Sequence, residues 1–82
     1  MNITTAIDES YLKEHRCRIG RQIKNIREKK GFSQEQLAEK MEVSRTTISK
    51  IESGKINCSI DYLYKFSWFL GFDFNISENK TK

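Results

Sequence analysis

The sequence predicts a small all-α bundle of four to five helices, and three observations carry that prediction. Apolar residues recur at helical spacing in four separate segments, glycines at positions 31, 54 and 71 close three of them, and the chain contains no proline. With 82 residues, of which 37% are hydrophobic, there is material for one core and not for two. A charged fraction of 32% gives that core a solvated surface, so wholesale disorder is excluded.

The first element is a basic amphipathic helix over about 11–30. Leu12, Ile19, Ile23 and Ile26 fall within a narrow arc when residues are set about 100° apart, and Gly31 closes the run. A second helix covers roughly 34–41: Ser33, with Gln36 three residues later, forms a capping box ahead of the stripe Leu37, Ala38 and Met41. Ser44 then caps a third helix over about 45–53, with Ile48 and Ile51 turned inward and Gly54 stopping it. Ser59 caps a fourth, whose stripe is Ile60, Leu63, Phe66, Ser67 and Leu70 and whose C′ residue is Gly71. Beyond it, Phe72, Phe74 and Ile76 alternate with Asp73, Asn75 and Ser77, which is the period of a strand, so a short C-terminal strand is expected. Residues 1–9 and 77–82 are polar and expected to be flexible, which leaves 10–76 as the folded domain.

Several function classes drop out on chemistry. No run of about 18 apolar residues exists, and the N-terminal segment lacks the basic start and apolar stretch of a secretory signal, so a cytoplasmic chain with no membrane contact is expected. Cys17 and Cys58 are too few for a disulfide framework, and His15 is the sole histidine, so neither a metal nor another cofactor is expected. There is no paired carboxylate, no Ser/His arrangement and no glycine-rich phosphate loop, which argues against an enzyme.

Charge points instead to a polyanion. The net charge is +4, but residues 13–30 alone carry eight cations, Lys13, Arg16, Arg18, Arg21, Lys24, Arg27, Lys29 and Lys30, against Glu14 and Glu28. A second basic block holds Arg45, Lys50 and Lys55 against Glu52. On a helical wheel Ile48 and Ile51 define the buried side of the third helix, which turns Arg45, Thr46, Ser49, Lys50 and Ser53 outward together. Arg and Lys suit guanine O6 and N7, Thr a thymine methyl or base edge, and Ser either a base or a phosphate. The competing reading is a polar surface helix of an ordinary bundle, since exposed Ser, Thr, Arg and Lys are common. What weighs against it is the arrangement: two short helices across a tight turn, the second bearing such a face, form a helix-turn-helix of the kind that enters the DNA major groove.

From Ile19 to Phe72 the chain resembles the Cro/CI-type (XRE) helix-turn-helix family, lambda-repressor-like. The resemblance rests on Ile19-Gly20-Arg21, Ile26-Arg27, Gly31-Phe32-Ser33-Gln34, Leu37-Ala38, Val43-Ser44, Ile48-Ser49-Lys50-Ile51-Glu52 and Gly54, then Leu63 and Leu70-Gly71. It implies a sequence-specific DNA-binding regulator, with repression the expected direction of control, acting as a homodimer on a palindromic operator. It implies base reading by Arg45, Thr46 and Lys50 with Ser49 in support, and phosphate contacts from Ser33, Gln34, Ser44, Thr47, Lys55 and Asn57, with Gln34 also bracing the front of the recognition helix. It also implies an ion pair between Arg27 and Glu52, which sit beside the apolar faces of their helices. Two positions depart from the family's pattern. Glu42 stands where the turn usually has glycine, which sets it at positive φ, and Cys58 stands where a proline is common.

The fourth helix carries more aromatics than its stripe requires. Tyr64 and Trp68 share one flank and Tyr62 and Phe69 the other; with Phe72 and Phe74 they are the expected dimer interface. The same fold also serves antitoxins of toxin–antitoxin pairs, which bind a toxin protein partner, and controller proteins of restriction–modification systems. Outside that class the alternative is a pure protein-interaction module, distinguished by failure to bind any DNA.

Overall fold

A computed structural model describes residues 7–79 of the chain. Four helices follow one another: α1 (Glu9–Lys29), α2 (Gln34–Met41), α3 (Arg45–Glu52) and α4 (Ile60–Leu70). Each begins at a side chain that accepts an otherwise unpaired N–H of the first turn: Asp8 from Ser10, Ser33 from Gln36, Ser44 from Thr47 and Ser59 from Tyr62. At Ser33 the box is reciprocal, because the Gln36 side chain accepts the Ser33 N–H at 2.8 Å.

α1 starts two residues ahead of its expected position because Asp8, and not the first apolar residue, sets the boundary. The Asp8 carboxylate accepts the Ser10 N–H at 2.9 Å, a bond that also holds its pKa below the ordinary value. Of the segments expected to be flexible, 1–6 and 80–82 lie outside the described residues. Asp8 and Glu9 belong to the start of α1, and 77–79 have no regular structure.

Between α2 and α3 the chain turns in three residues. Glu42 takes φ 58° and ψ 45°, the left-handed conformation its family position demands, and it is the sole non-glycine residue at positive φ among those described. The four helices enclose one core of Ile23, Leu37, Ala38, Met41, Ile48, Ile51, Phe66 and Leu70, to which every helix contributes. α1 and α3 cross at Gly20. A Cβ there would overlap the backbone carbonyl oxygens of Ile51 and Glu52, so the close approach of these helices requires glycine.

Two expectations need correction. Ile60 is 69% exposed, since at the first position of α4 it lies beyond the edge of the core. The expected strand over 72–76 does not form within the chain: no strand occurs among the described residues. With no neighbouring strand to pair with, this segment folds back as an irregular tail. Ser67 donates its hydroxyl to the Phe72 carbonyl, and the Phe74 ring meets Phe72 and Tyr64 edge-on, with centroids 5.1 and 5.2 Å apart.

Candidate nucleic-acid interface

The geometry of α3 follows from its two ends and its floor. At the N-terminus Ser44 accepts the Thr47 N–H at 3.0 Å and shares a 2.8 Å hydroxyl–hydroxyl bond with Thr47. At the C-terminus the Ser53 hydroxyl donates back to the Ser49 carbonyl at 2.9 Å, and Gly54 then leaves the helix at φ 74°. Beneath it, Ile48 and Ile51 are fully enclosed. Arg45, Thr46, Lys50 and Ser53 are exposed on the opposite arc, while Ser49 and Thr47 are half-buried at its margins.

Below α3 lies a polar network. Arg27 is 6% exposed and Glu52 5%, and they form a two-pronged pair, Nε to Oε2 at 2.7 Å and Nη2 to Oε1 at 3.1 Å. Arg27 spends its other amino group on the Phe32 carbonyl at 2.7 Å, which ties α1 to the segment leading into α2. The hydrogen bond to Glu52 raises the Arg27 pKa above its ordinary value against the opposing effect of burial, so the guanidinium keeps its charge.

The network continues outward through Gln34, the residue that the family resemblance expects to brace the front of the recognition helix. Gln34 donates its amide to Glu52 Oε1 at 3.0 Å and accepts Arg45 Nη1 at 2.9 Å. Only one orientation of the amide satisfies both neighbours, because a carboxylate can only accept and a guanidinium only donate. Buried charge, α2 and the first exposed side chain of α3 are thus joined in one chain of bonds.

The remaining phosphate candidates lie around this arc. Ser33 uses its oxygen as a cap and retains its own O–H to donate, and one hydroxyl of the Ser44–Thr47 pair is likewise free. Gln34 has its amide oxygen and one amide N–H engaged, which leaves its second amide N–H and its backbone N–H, at the first position of α2, to donate to an anion. Lys55 and Asn57 are exposed in the loop after α3.

The aromatic residues of α4 and the tail divide into two sets. Tyr62, Phe69 and Phe72 are half-buried against the core, whereas Tyr64 and Trp68 are 57% and 82% exposed, with Phe74 packed on Tyr64. Elsewhere, burial pushes the Cys58 thiol up to about 11, so this residue stays a neutral thiol near neutral pH. Among the described residues no group of His, Cys, Asp and Glu side chains could hold a metal ion, and no helix is long and apolar enough to cross a membrane.

A short helix clamped from below, with hydroxyl and cationic side chains outward and a second helix across a three-residue turn, defines a helix-turn-helix DNA-binding domain. The sequence matches the helix-turn-helix family over residues 23–76, about two-thirds of its length. This chain belongs to that family and is a DNA-binding protein of the Cro/CI or XRE kind. The family is one of non-enzymatic DNA-binding domains. No curated protein matches the chain.

Proposed function

We propose that this protein is a transcriptional repressor that binds a palindromic operator as a homodimer, with α3 of each subunit in successive major grooves. The observation that carries the reading is the outward arc of α3, where Arg45, Thr46 and Lys50 stand exposed on a helix whose floor is locked by Arg27 and Glu52. Arg45 and Lys50 read base edges, Thr46 and Ser49 contribute smaller contacts, and Ser33, Gln34, Ser44, Thr47, Lys55 and Asn57 fix the register on phosphates. The subunits join through the exposed faces of Tyr64 and Trp68 and the adjoining Phe74, with Tyr62, Phe69 and Phe72 packed behind them. An apolar surface of that kind, with Trp68 82% exposed, is costly to leave in water.

Selection from random duplex DNA tests the whole proposal. It should enrich a palindrome with half-sites one helical turn apart, about 34 Å centre to centre. Replacing Arg45 or Lys50 by Ala should weaken binding to the enriched duplex by about 1–3 kcal/mol and relax choice at the base each one meets. Sedimentation equilibrium should give a dimer that Trp68→Glu dissociates. Enrichment of nothing at low salt would leave the protein-interaction reading in place, and enrichment of a site without two-fold symmetry would remove the dimer.

A further inference from the structure

α1 is longer than its place in the core requires. Its buried residues are Gly20, Ile23 and Arg27, all in its C-terminal two-thirds, yet it begins at Glu9. The earlier turns run past the C-terminal end of α3. There Arg16 donates Nε to the Gly54 carbonyl at 3.3 Å, and the neighbouring Cys17 donates its thiol to the Ser53 carbonyl at 3.6 Å. Contact is tight at this point, since a Cβ on Gly54 would overlap the Cys17 backbone and sulfur.

Arg16 is a cation without a counter-charge among the described residues. No carboxylate lies within ion-pair distance of it among the described residues, and its two terminal amino groups have no protein partner there. It lines the same groove as Asn57, and Lys55 follows directly on Gly54. Lys13 is exposed one turn earlier on the same face of α1.

We infer that Arg16 and Lys13 form an auxiliary phosphate-binding edge that clasps the DNA backbone beside the segment read by α3. The inference rests on the docking of α3 proposed above. Among the described residues nothing competes for the two amino groups of Arg16, which can meet a phosphate as a planar fork while Nε keeps its hold on Gly54. The guanidinium that meets the backbone is then also the one bracing the end of α3. Both contacts are blind to sequence, so they add affinity and salt dependence without altering base preference.

The test is the salt dependence of binding, followed by fluorescence anisotropy with a labelled duplex carrying the selected sequence, between about 50 and 200 mM salt. Arg16→Gln and Lys13→Gln should each reduce the slope of log affinity against log salt by about 0.9, and the double variant by about twice that. The bases selected should not change, and Arg16→Lys should retain the slope. Lys30→Gln removes a charge just beyond the far end of α1, where Nζ lies beside Gly71, and should leave the slope as it is. Unchanged slopes in the folded Gln variants would overturn the inference, as would lost affinity at constant slope, which is the mark of a purely structural Arg16. Should Arg16→Gln fail to fold, Lys13→Gln decides alone, since Lys13 is exposed. A wild-type chain that binds no duplex removes the docking of α3 as well, whereas a wild type that binds beside insensitive variants removes only the auxiliary edge.

Discussion

Replacing Arg27 by Met should be among the most damaging single changes in this protein. The Glu52 carboxylate is 5% exposed and accepts three hydrogen bonds, two from Arg27 and one from Gln34. Met fills much of the guanidinium's space but supplies no donor, so a buried anion is left with one amide. Breaking a buried pair in this way costs about 3–5 kcal/mol. The total stability of a domain this small is on the order of 5–10 kcal/mol, so about half of it would go. The melting temperature should fall by roughly 15–30 °C, followed by circular dichroism, with urea titration giving the free energy. The companion variant Arg27→Met with Glu52→Leu removes the stranded charge and should recover most of the loss, because an apolar pair of similar volume needs no desolvated ion. A single variant that costs less than about 1 kcal/mol, or a double variant no better than the single, would refute the argument that an uncompensated charge sets the penalty.

Three further outcomes follow from the backbone and from one thiol. Gly20→Ala should destabilise by about 1–3 kcal/mol in a thermal melt, opposite in sign to the usual gain from Ala within a helix, because the atoms it meets are α3 carbonyls that cannot rotate away. Glu42→Gly should stabilise by about 0.5–1 kcal/mol, the relief of a left-handed residue exceeding the added entropy of the unfolded chain; a loss of stability would contradict the φ of 58°. Burial raises the Cys58 pKa from its ordinary 9.0 to about 11, so the folded state favours the protonated thiol. That contribution is complete below pH 9 and is lost as pH rises towards 11, so the wild type should lose more melting temperature across this window than Cys58→Ala.

The sequence made the helix ends legible because each is marked by a residue whose chemistry admits few alternatives. Ser33, Ser44 and Ser59 cap where hydroxyls were expected, and Gly31, Gly54 and Gly71 all take positive φ. Asp8 carries the same kind of signal, yet an apolar stripe beginning at Leu12 hides it. The alternation from Phe72 to Ile76 misled for a different reason: period records which side chains share a face, but a strand needs a neighbour, and none exists among the described residues. The pairing of Arg27 with Glu52 was legible through the family resemblance that implies it, and their places beside apolar faces agree with it. Gln34 was expected to brace the front of α3, but its joining of Glu52 to Arg45 was not legible, because a half-buried amide between two charges leaves no periodic trace. The Arg16 contact with Gly54 spans 38 residues and was equally invisible.

The bridge through Gln34 has a consequence for retargeting the protein to new operators. Positions 46 and 50 project from α3 without a tie to the interior, so a library randomised there should return many folded members with altered preferences. Position 45 is different, because its guanidinium completes the coordination of an amide that itself serves Glu52. Substitutions at 45 and 34 should therefore succeed in matched combinations more often than singly, and altered recognition at that position would be acquired by paired steps.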